Sequence, residues 1–330
     1  MRHLKYSDID LVPNYSELHS RVDADPSIDF LGKKFELPII PANMKSVIDL
    51  SIARWMSAND YFYIMHRFGN NLADDVGLAN SEDWKTISFS VGIKTPDKIH
   101  VMNIGKSSNL RVDFLTIDIA HGYCDRMRVM IKHIKKWLPE TKIIAGNVAT
   151  GQAVRDLSDW GADAVKVGIG QGSPCTTKYK TGFTMPMFSC VKKCSNIYAG
   201  DENATDLFGV EGKEIPIIAD GGIKHNGDIA KALAAGPSMA MAGGLFAACA
   251  DSPAIDSTIN NVPHKSYFGS ASAENKGHNN HIEGKLTHLT TNNMSYEEKL
   301  LEIKQDLQSS ISYAGGESLS SLREVEYIKV

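Results

Sequence analysis

The chain has no run approaching the ~20 apolar residues of a helical membrane span, and its N-terminus carries no apolar signal core, so a soluble protein with no membrane partner is expected. It also lacks a basic block. Lys and Arg number 35 against 39 Asp and Glu, a net charge of −4, which argues against nucleic acid as a partner and leaves small anions held by local geometry. Cysteine is sparse. The five, at 124, 175, 190, 194 and 249, are odd in number and show no metal-finger spacing, which points to a reducing, cytoplasmic compartment. The segment Gly277-His278-Asn279-Asn280-His281 offers two histidines but no third ligand, so no metal is expected. No low-complexity linker and no repeat beyond a βα unit appears, so one domain over 1–330 is expected.

What is present suits a large α/β domain: 42% hydrophobic and 22% charged residues over 330 positions, enough for a sizeable core. Eight short apolar segments recur, most followed by room for a helix. They are Leu37 to Pro41, Tyr61 to Met65, Thr86 to Val91, Phe114 to Ile119, Lys142 to Ala145, Ala164 to Val167, Ile215 to Ala219 and Met239 to Ala242. Their runs are continuous rather than alternating, as in parallel strands buried on both faces. The pattern predicts a (β/α)₈ TIM barrel, with a doubly wound open sheet as the competitor. Asp125 to Trp137 and Gly227 to Ala235 read as amphipathic helices. Ser252 to Thr291 is polar and rich in Gly, Asn and His, and reads as a mobile active-site loop, after which Ser295 to Ser310 returns to helical periodicity in a C-terminal tail.

The run Val167-Gly168-Ile169-Gly170-Gln171-Gly172-Ser173-Pro174-Cys175-Thr176-Thr177 carries the most chemistry. It lifts a cysteine out of an apolar strand on a glycine loop, with hydroxyls beside it that can support a thiolate. An isolated free cysteine is more often a buried apolar thiol, and glycine spacing alone leaves the two readings level. In a barrel, function gathers at the carboxyl ends of the strands. There stand Asn43, Arg67 beside His66, Asp118, Asn147, Cys175, Asp220 and Gly243. The pairs Gly221-Gly222 and Gly243-Gly244 follow the seventh and eighth segments, where barrels hold a phosphate on backbone N–H groups. Asp220 could accept hydrogen bonds from ribose hydroxyls. The same glycines also suit plain strand-to-helix turns.

Over almost its whole length the chain resembles the GMP reductases of the bacterial type without an inserted regulatory module, in the superfamily shared with IMP dehydrogenase. The likeness is carried by LPIIPANM at 37–44, YFYIMHRF at 61–68, TIDIAHG at 116–122, IAGNVAT at 144–150 and KVGIGQGSPCTTKYKTGF at 166–183. It continues through IPIIADGGIKHNGDIAKAL at 215–233, YFGSASAENKG at 267–277, EGK at 283–285 and DLQSSISYAGG at 306–316. The resemblance implies a (β/α)₈ barrel, assembled as a homotetramer, that converts GMP to IMP and ammonia with NADPH. Cys175 would add to purine C2 and form a covalent thioimidate that receives hydride. Thr177 and Glu283 match the pair that assists the cysteine and the departing amine, and Asp118 and Arg67 match groups near the reacting centre. Asn43, Ser173, Asp220, Gly221, Gly222, Gly243, Gly244 and Ser270 fall at nucleotide-holding positions. Asn147, Gly168, Gly170 and Ser272 fall on the cofactor side.

Two departures stand out: Gln171 where proline is common, and Pro174 directly before the cysteine. Proline removes an N–H and restricts Ser173 toward extended backbone, which bears on loop mobility, on phosphate contacts or on a carbonyl cage for a monovalent cation such as K⁺, so that ion is not counted on. Two other functions stay in play. An IMP dehydrogenase would use the same cysteine, but no regulatory insertion interrupts this chain, and 270–283 lacks the arginine-tyrosine pair that dehydrogenases use on water. A non-catalytic nucleotide-binding barrel would have no need of Cys175, Thr177 and Glu283 together.

Overall fold

The computed structural model describes residues 3–69, 71–107, 109–196 and 215–330. Met1 and Arg2, which open the N-terminal stretch read above, lie outside the described residues.

Seven strands form one parallel sheet: β1 Ile39–Pro41, β2 Ser88–Val91, β3 Phe114–Asp118, β4 Lys142–Val148, β5 Ala164–Val167, β6 Ile217–Asp220 and β7 Met239–Ala242. The spatial order is β1-β7-β6-β5-β4-β3-β2. Every residue of β1, β2, β5 and β7 is buried; β1 and β7 run apolar throughout, as strands covered on both faces do, while β2 also buries Ser88 and Ser90 and β5 buries Lys166. Helices cover the outside and begin at side-chain caps where the chain must turn back: Asp49 accepts from Ile52 N, Thr150 from Ala153 N, and Ser295 from Glu298 N. Asp125–Trp137 is helical as expected. The helix expected from Gly227 spans Asn226–Ala234, and the last helix runs from Tyr296 to Tyr313.

The sheet curls without closing, which corrects the closed eight-stranded barrel. The second apolar segment, Tyr61 to Met65, contributes a single parallel bridge, Met65 to Phe89, instead of a strand. Its backbone groups are spent elsewhere. Tyr61 N donates to Met56 O at the end of the preceding helix, and the Met65 carbonyl accepts from Ser90 Oγ. Across the seam, Pro41 in β1 has no N–H to offer. Side chains fill the interior at this point: Phe62 meets Phe114 edge-on with centroids 5.0 Å apart, and Phe30 and Phe35 lie within 5.2 and 5.0 Å of Phe62.

The segment 252–291, expected as loop, carries a three-stranded antiparallel sheet: β8 Ile255–Ile259, β9 Val262–Phe268 and β10 Leu286–Thr290. Asn260 and Asn261, at φ of 52° and 62°, make the tight turn between β8 and β9, a conformation asparagine tolerates. Only Lys265 and Tyr267 of β9 are buried, so just one face of the hairpin packs on the body and the composition reads as loop. At the opposite extreme of the chain, Ile9–Leu11 pairs antiparallel with Tyr327–Lys329. No helix among the described residues is long and apolar enough to cross a membrane.

Candidate active site

The cysteine loop leaves β5 through Gly168 and Gly170, at φ of 141° and 75°, conformations that glycine adopts without strain. Space demands glycine as well: a Cβ on Gly168 would stand 2.0 Å from the Asp220 carbonyl, and one on Gly170 would stand 2.9 Å from Thr184 Oγ1. Pro174 does not break the turn. Cys175 N donates to Gly172 O at 3.0 Å, and the Pro174 carbonyl accepts from Lys285 N at 2.9 Å. Gln171 ties the loop down through Nε2 to Thr184 Oγ1 at 2.6 Å, and that hydroxyl donates to Ile169 O at 2.9 Å.

The strap before β10 lies along this loop. Cys175 and Gly284 form an antiparallel bridge, and Thr176 N donates to Glu283 O at 2.7 Å. That pairing brings together side chains 106 residues apart. The Cys175 thiol donates to Thr177 Oγ1 at 3.2 Å, and Thr177 Oγ1 donates to Glu283 Oε2 at 2.7 Å. Thiol, hydroxyl and carboxylate thus stand in one hydrogen-bonded chain along which a proton can pass.

A cavity of about 690 Å³ opens over this chain, walled by the carboxyl ends of the strands and by the strap. Its floor is ionic. Lys166, only 2% exposed, reaches Asp118 Oδ1 at 2.9 Å and Asp220 Oδ2 at 2.8 Å, with Asn43 Oδ1 at 3.4 Å. Burial pushes the Asp118 carboxyl up, but the Lys166 ammonium and the Arg67 guanidinium together pull it below the usual carboxylate range. For Lys166 the order is the same: burial pulls its pKa down and the two carboxylates raise it further, above the ordinary lysine value. Arg67 donates from Nε to Asp118 O at 3.1 Å and lies over the Phe68 ring. Asn147 Nδ2 donates to Gly168 O and Asp220 Oδ2, both at 2.8 Å. The buried Asn43 Nδ2 makes no hydrogen bond of normal geometry, though the amide helps hold Asp118 ionised.

Most of the residues singled out from the sequence line this cavity: Cys175, Thr177 and Glu283, then Asp118, Arg67, Asn43, Asp220, Asn147 and Ser270, with Gly168, Gly170, Gly221 and Gly243. Four do not. Ser173 is exposed, and neither it nor Gly222 or Gly244 contributes to the lining. Ser272 is fully buried as the cap of a short helix, accepting from Asn275 N at 3.3 Å. The glycine pairs also have packing duties: a Cβ on Gly243 would lie 2.1 Å from the Tyr267 hydroxyl, and one on Gly222 would lie 3.0 Å from Met187.

Lys166 and Tyr267 were missed. A lone lysine inside the buried run Ala164–Val167 is the signal for the first, because an ammonium there needs a counter-charge. Tyr267 lies in the polar stretch read as loop, and burial pushes its phenol well up. The two histidines of 277–281 also line the cavity, with Lys94 and Lys276, but no group of three metal ligands occurs among the described residues.

A profile of the IMP dehydrogenase / GMP reductase domain matches residues 3–330. The GMP reductase of Leptothrix cholodnii is 45% identical over 327 residues, covering 98% of this chain and 94% of that protein. The GMP reductase of Oenococcus oeni is 45% identical over 325 residues, with 98% and 96% covered. That of Staphylococcus saprophyticus is 43% identical over 332 residues, with 100% and 96% covered. With the match spanning both the cysteine loop and the strap that carries Glu283, the chain belongs to the IMP dehydrogenase / GMP reductase family.

Proposed function

We propose that the protein reduces GMP to IMP and ammonia, with NADPH as the hydride donor. The observation that carries this reading is the chain Cys175–Thr177–Glu283 at the wall of a nucleotide-sized cavity. Cys175 is the nucleophile. Its sulfur adds to purine C2, the exocyclic amine leaves as ammonia, and a thioimidate bond joins sulfur to the purine. Thr177 relays protons between the sulfur and Glu283, and Glu283 supplies the proton that the departing amine needs. The sulfur then leaves as C2 gains hydride, so that GMP, NADPH and two protons become IMP, NADP⁺ and ammonium.

Asp220 faces the sugar of the nucleotide, and Gly221 and Gly243 bring backbone close to its phosphate. Asp118, Arg67 and Asn43 surround the base. NADPH supplies hydride, and Arg67, Lys94 and Lys276 on the cavity lining suit a polyanionic dinucleotide. Asn147, Gly168 and Gly170 form its inner wall. No step is assigned to K⁺; the loop carbonyls of Ile169 and Gly172 each accept one hydrogen bond, from Thr184 Oγ1 and Cys175 N, and keep a second lone pair. A homotetramer in the cytoplasm completes the reading, and light scattering tests the assembly.

NADPH oxidation with GMP, run beside NAD⁺ reduction with IMP, decides the direction of the chemistry. Turnover in the first assay alone is expected. Turnover in the second alone makes the protein a dehydrogenase, and binding of GMP with neither reaction makes it a binder.

A further inference from the structure

Lys166 projects from the middle of a strand whose four residues are all buried, and an ammonium in that place is disfavoured unless each of its protons finds an acceptor. All three do. One goes to Asp118 on β3, one to Asp220 on β6, and the third points to Asn43 just beyond β1. Asp220 Oδ2 accepts from both Lys166 and Asn147, at 2.8 Å each, which leaves Oδ1 to whatever enters the cavity. On Asp118, Oδ1 belongs to Lys166 and Oδ2 faces Arg67 Nε at 4.0 Å.

We propose that Lys166 is a positioning residue that locks the carboxylates of Asp118 and Asp220 in their cavity-facing orientations and so couples the sugar end of the nucleotide site to its reacting end. The inference rests on the nucleotide reading of the cavity. Lys166 acts through its partners, because its three donors are spent and no proton or lone pair is left for chemistry. Without it, two carboxylates would share a poorly solvated site, where like charges resist simultaneous ionisation and a proton is taken up. The other groups around them cannot replace the ammonium. Arg67 stands only on the outer side of Asp118, Asn43 and Asn147 are neutral amides, and Tyr6 and Tyr267, near Asp220, are phenols held neutral by burial.

The test compares wild type, Lys166→Met and Lys166→Arg by calorimetric titration of GMP from about pH 7 to about pH 8.5, between the titrations of the nucleotide's own phosphate and base. GMP affinity should stay nearly flat with pH in the wild type and in the Arg variant, whatever its absolute value there. In the Met variant it should fall and become proton-linked, changing by up to about tenfold per pH unit. A Met variant with wild-type affinity and a flat profile overturns the proposal. Thermal unfolding gives an independent arm that needs no ligand. Lys166→Met combined with Asp118→Asn removes one of the two carboxylates left facing each other, and with it their mutual repulsion, so the double variant should be more stable than Lys166→Met alone. A double variant less stable than the single overturns the clamp. If the wild type binds no GMP, the nucleotide reading fails, and the unfolding comparison still decides the role of Lys166.

Discussion

Replacing Glu283 by Gln keeps the size and hydrogen-bonding reach of the side chain that meets Thr177 at 2.7 Å, and removes its ability to take or give a proton. Two magnitudes bracket the effect. A hydrogen bond to a charged group is worth roughly 1.5–3 kcal/mol, or about 10- to 150-fold in rate at ~1.4 kcal/mol per decade. Losing a general acid or base costs about 10²–10⁴-fold. The larger range applies if the carboxyl moves a proton in the slow step, so GMP reduction should fall by at least about 100-fold while GMP affinity changes little. Thr177→Val extends the argument, since it cuts the same chain at its middle atom, 3.2 Å from the sulfur. If protons pass in series, the double variant should be no slower than the worse single one, because a broken relay cannot be broken twice. Steady-state rates of NADPH oxidation, with GMP titrations of each variant, give all four corners of the cycle. A loss below about tenfold in Glu283→Gln, or costs that multiply in the double variant, would refute the relay.

Cys175→Ala should bind GMP with near wild-type affinity and show no turnover, since a methyl group cannot form the covalent bond; measurable turnover would move the nucleophile elsewhere. Asp220→Ala should weaken GMP binding by roughly 1.5–3 kcal/mol per hydrogen bond lost to the sugar, read by calorimetry, and it should also destabilise the fold by leaving Lys166 with one carboxylate fewer. Gly243→Ala places a methyl 2.1 Å from the Tyr267 hydroxyl, so it should lower the melting temperature, and Tyr267→Phe in the same chain should recover part of the loss. His66 is buried, accepts from Phe68 N through Nδ1, and is pushed down to about 4 by burial and by the nearby Lys45 ammonium. Its folded pKa is below its ordinary 6.5, so its contribution is complete above pH 6.5 and declines as pH falls towards about 4, by ~1.4 kcal/mol per unit. Urea midpoints of wild type and His66→Gln across that window should converge with acidification, and parallel curves would remove His66 as the cause.

Strand positions were legible because a strand buried on both faces is mostly apolar, and runs such as Met239 to Ala242 have few other uses. The cysteine loop was legible as a candidate site because three glycines lift Cys175 out of a strand, although the spacing alone left a buried thiol as an equal reading. The open seam was not. Tyr61 to Met65 has the composition of a strand, and only the hydrogen bonds of Tyr61 and Met65 to other partners reveal that it pairs once. The hairpin sheet of 255–290 was hidden because it is mostly solvent-facing: of its three strands only β9 buries residues, Lys265 and Tyr267. The two glycine pairs show a different limit, since the same residue serves a phosphate or a neighbouring side chain, and spacing does not say which. Lys166 is visible in the letters, but the letters alone do not say what it pairs with. Its meaning depends on Asp118 and Asp220, which the chain brings to it from 48 and 54 residues away.

The most direct test of the account is to quench the enzyme during turnover with GMP and NADPH, and to map any nucleotide adduct by peptide mass spectrometry. The account predicts a purine nucleotide bound through sulfur on the peptide containing Cys175, accumulating in wild type and absent in Cys175→Ala. An adduct on another residue, or full GMP reduction by the Ala variant, would contradict it.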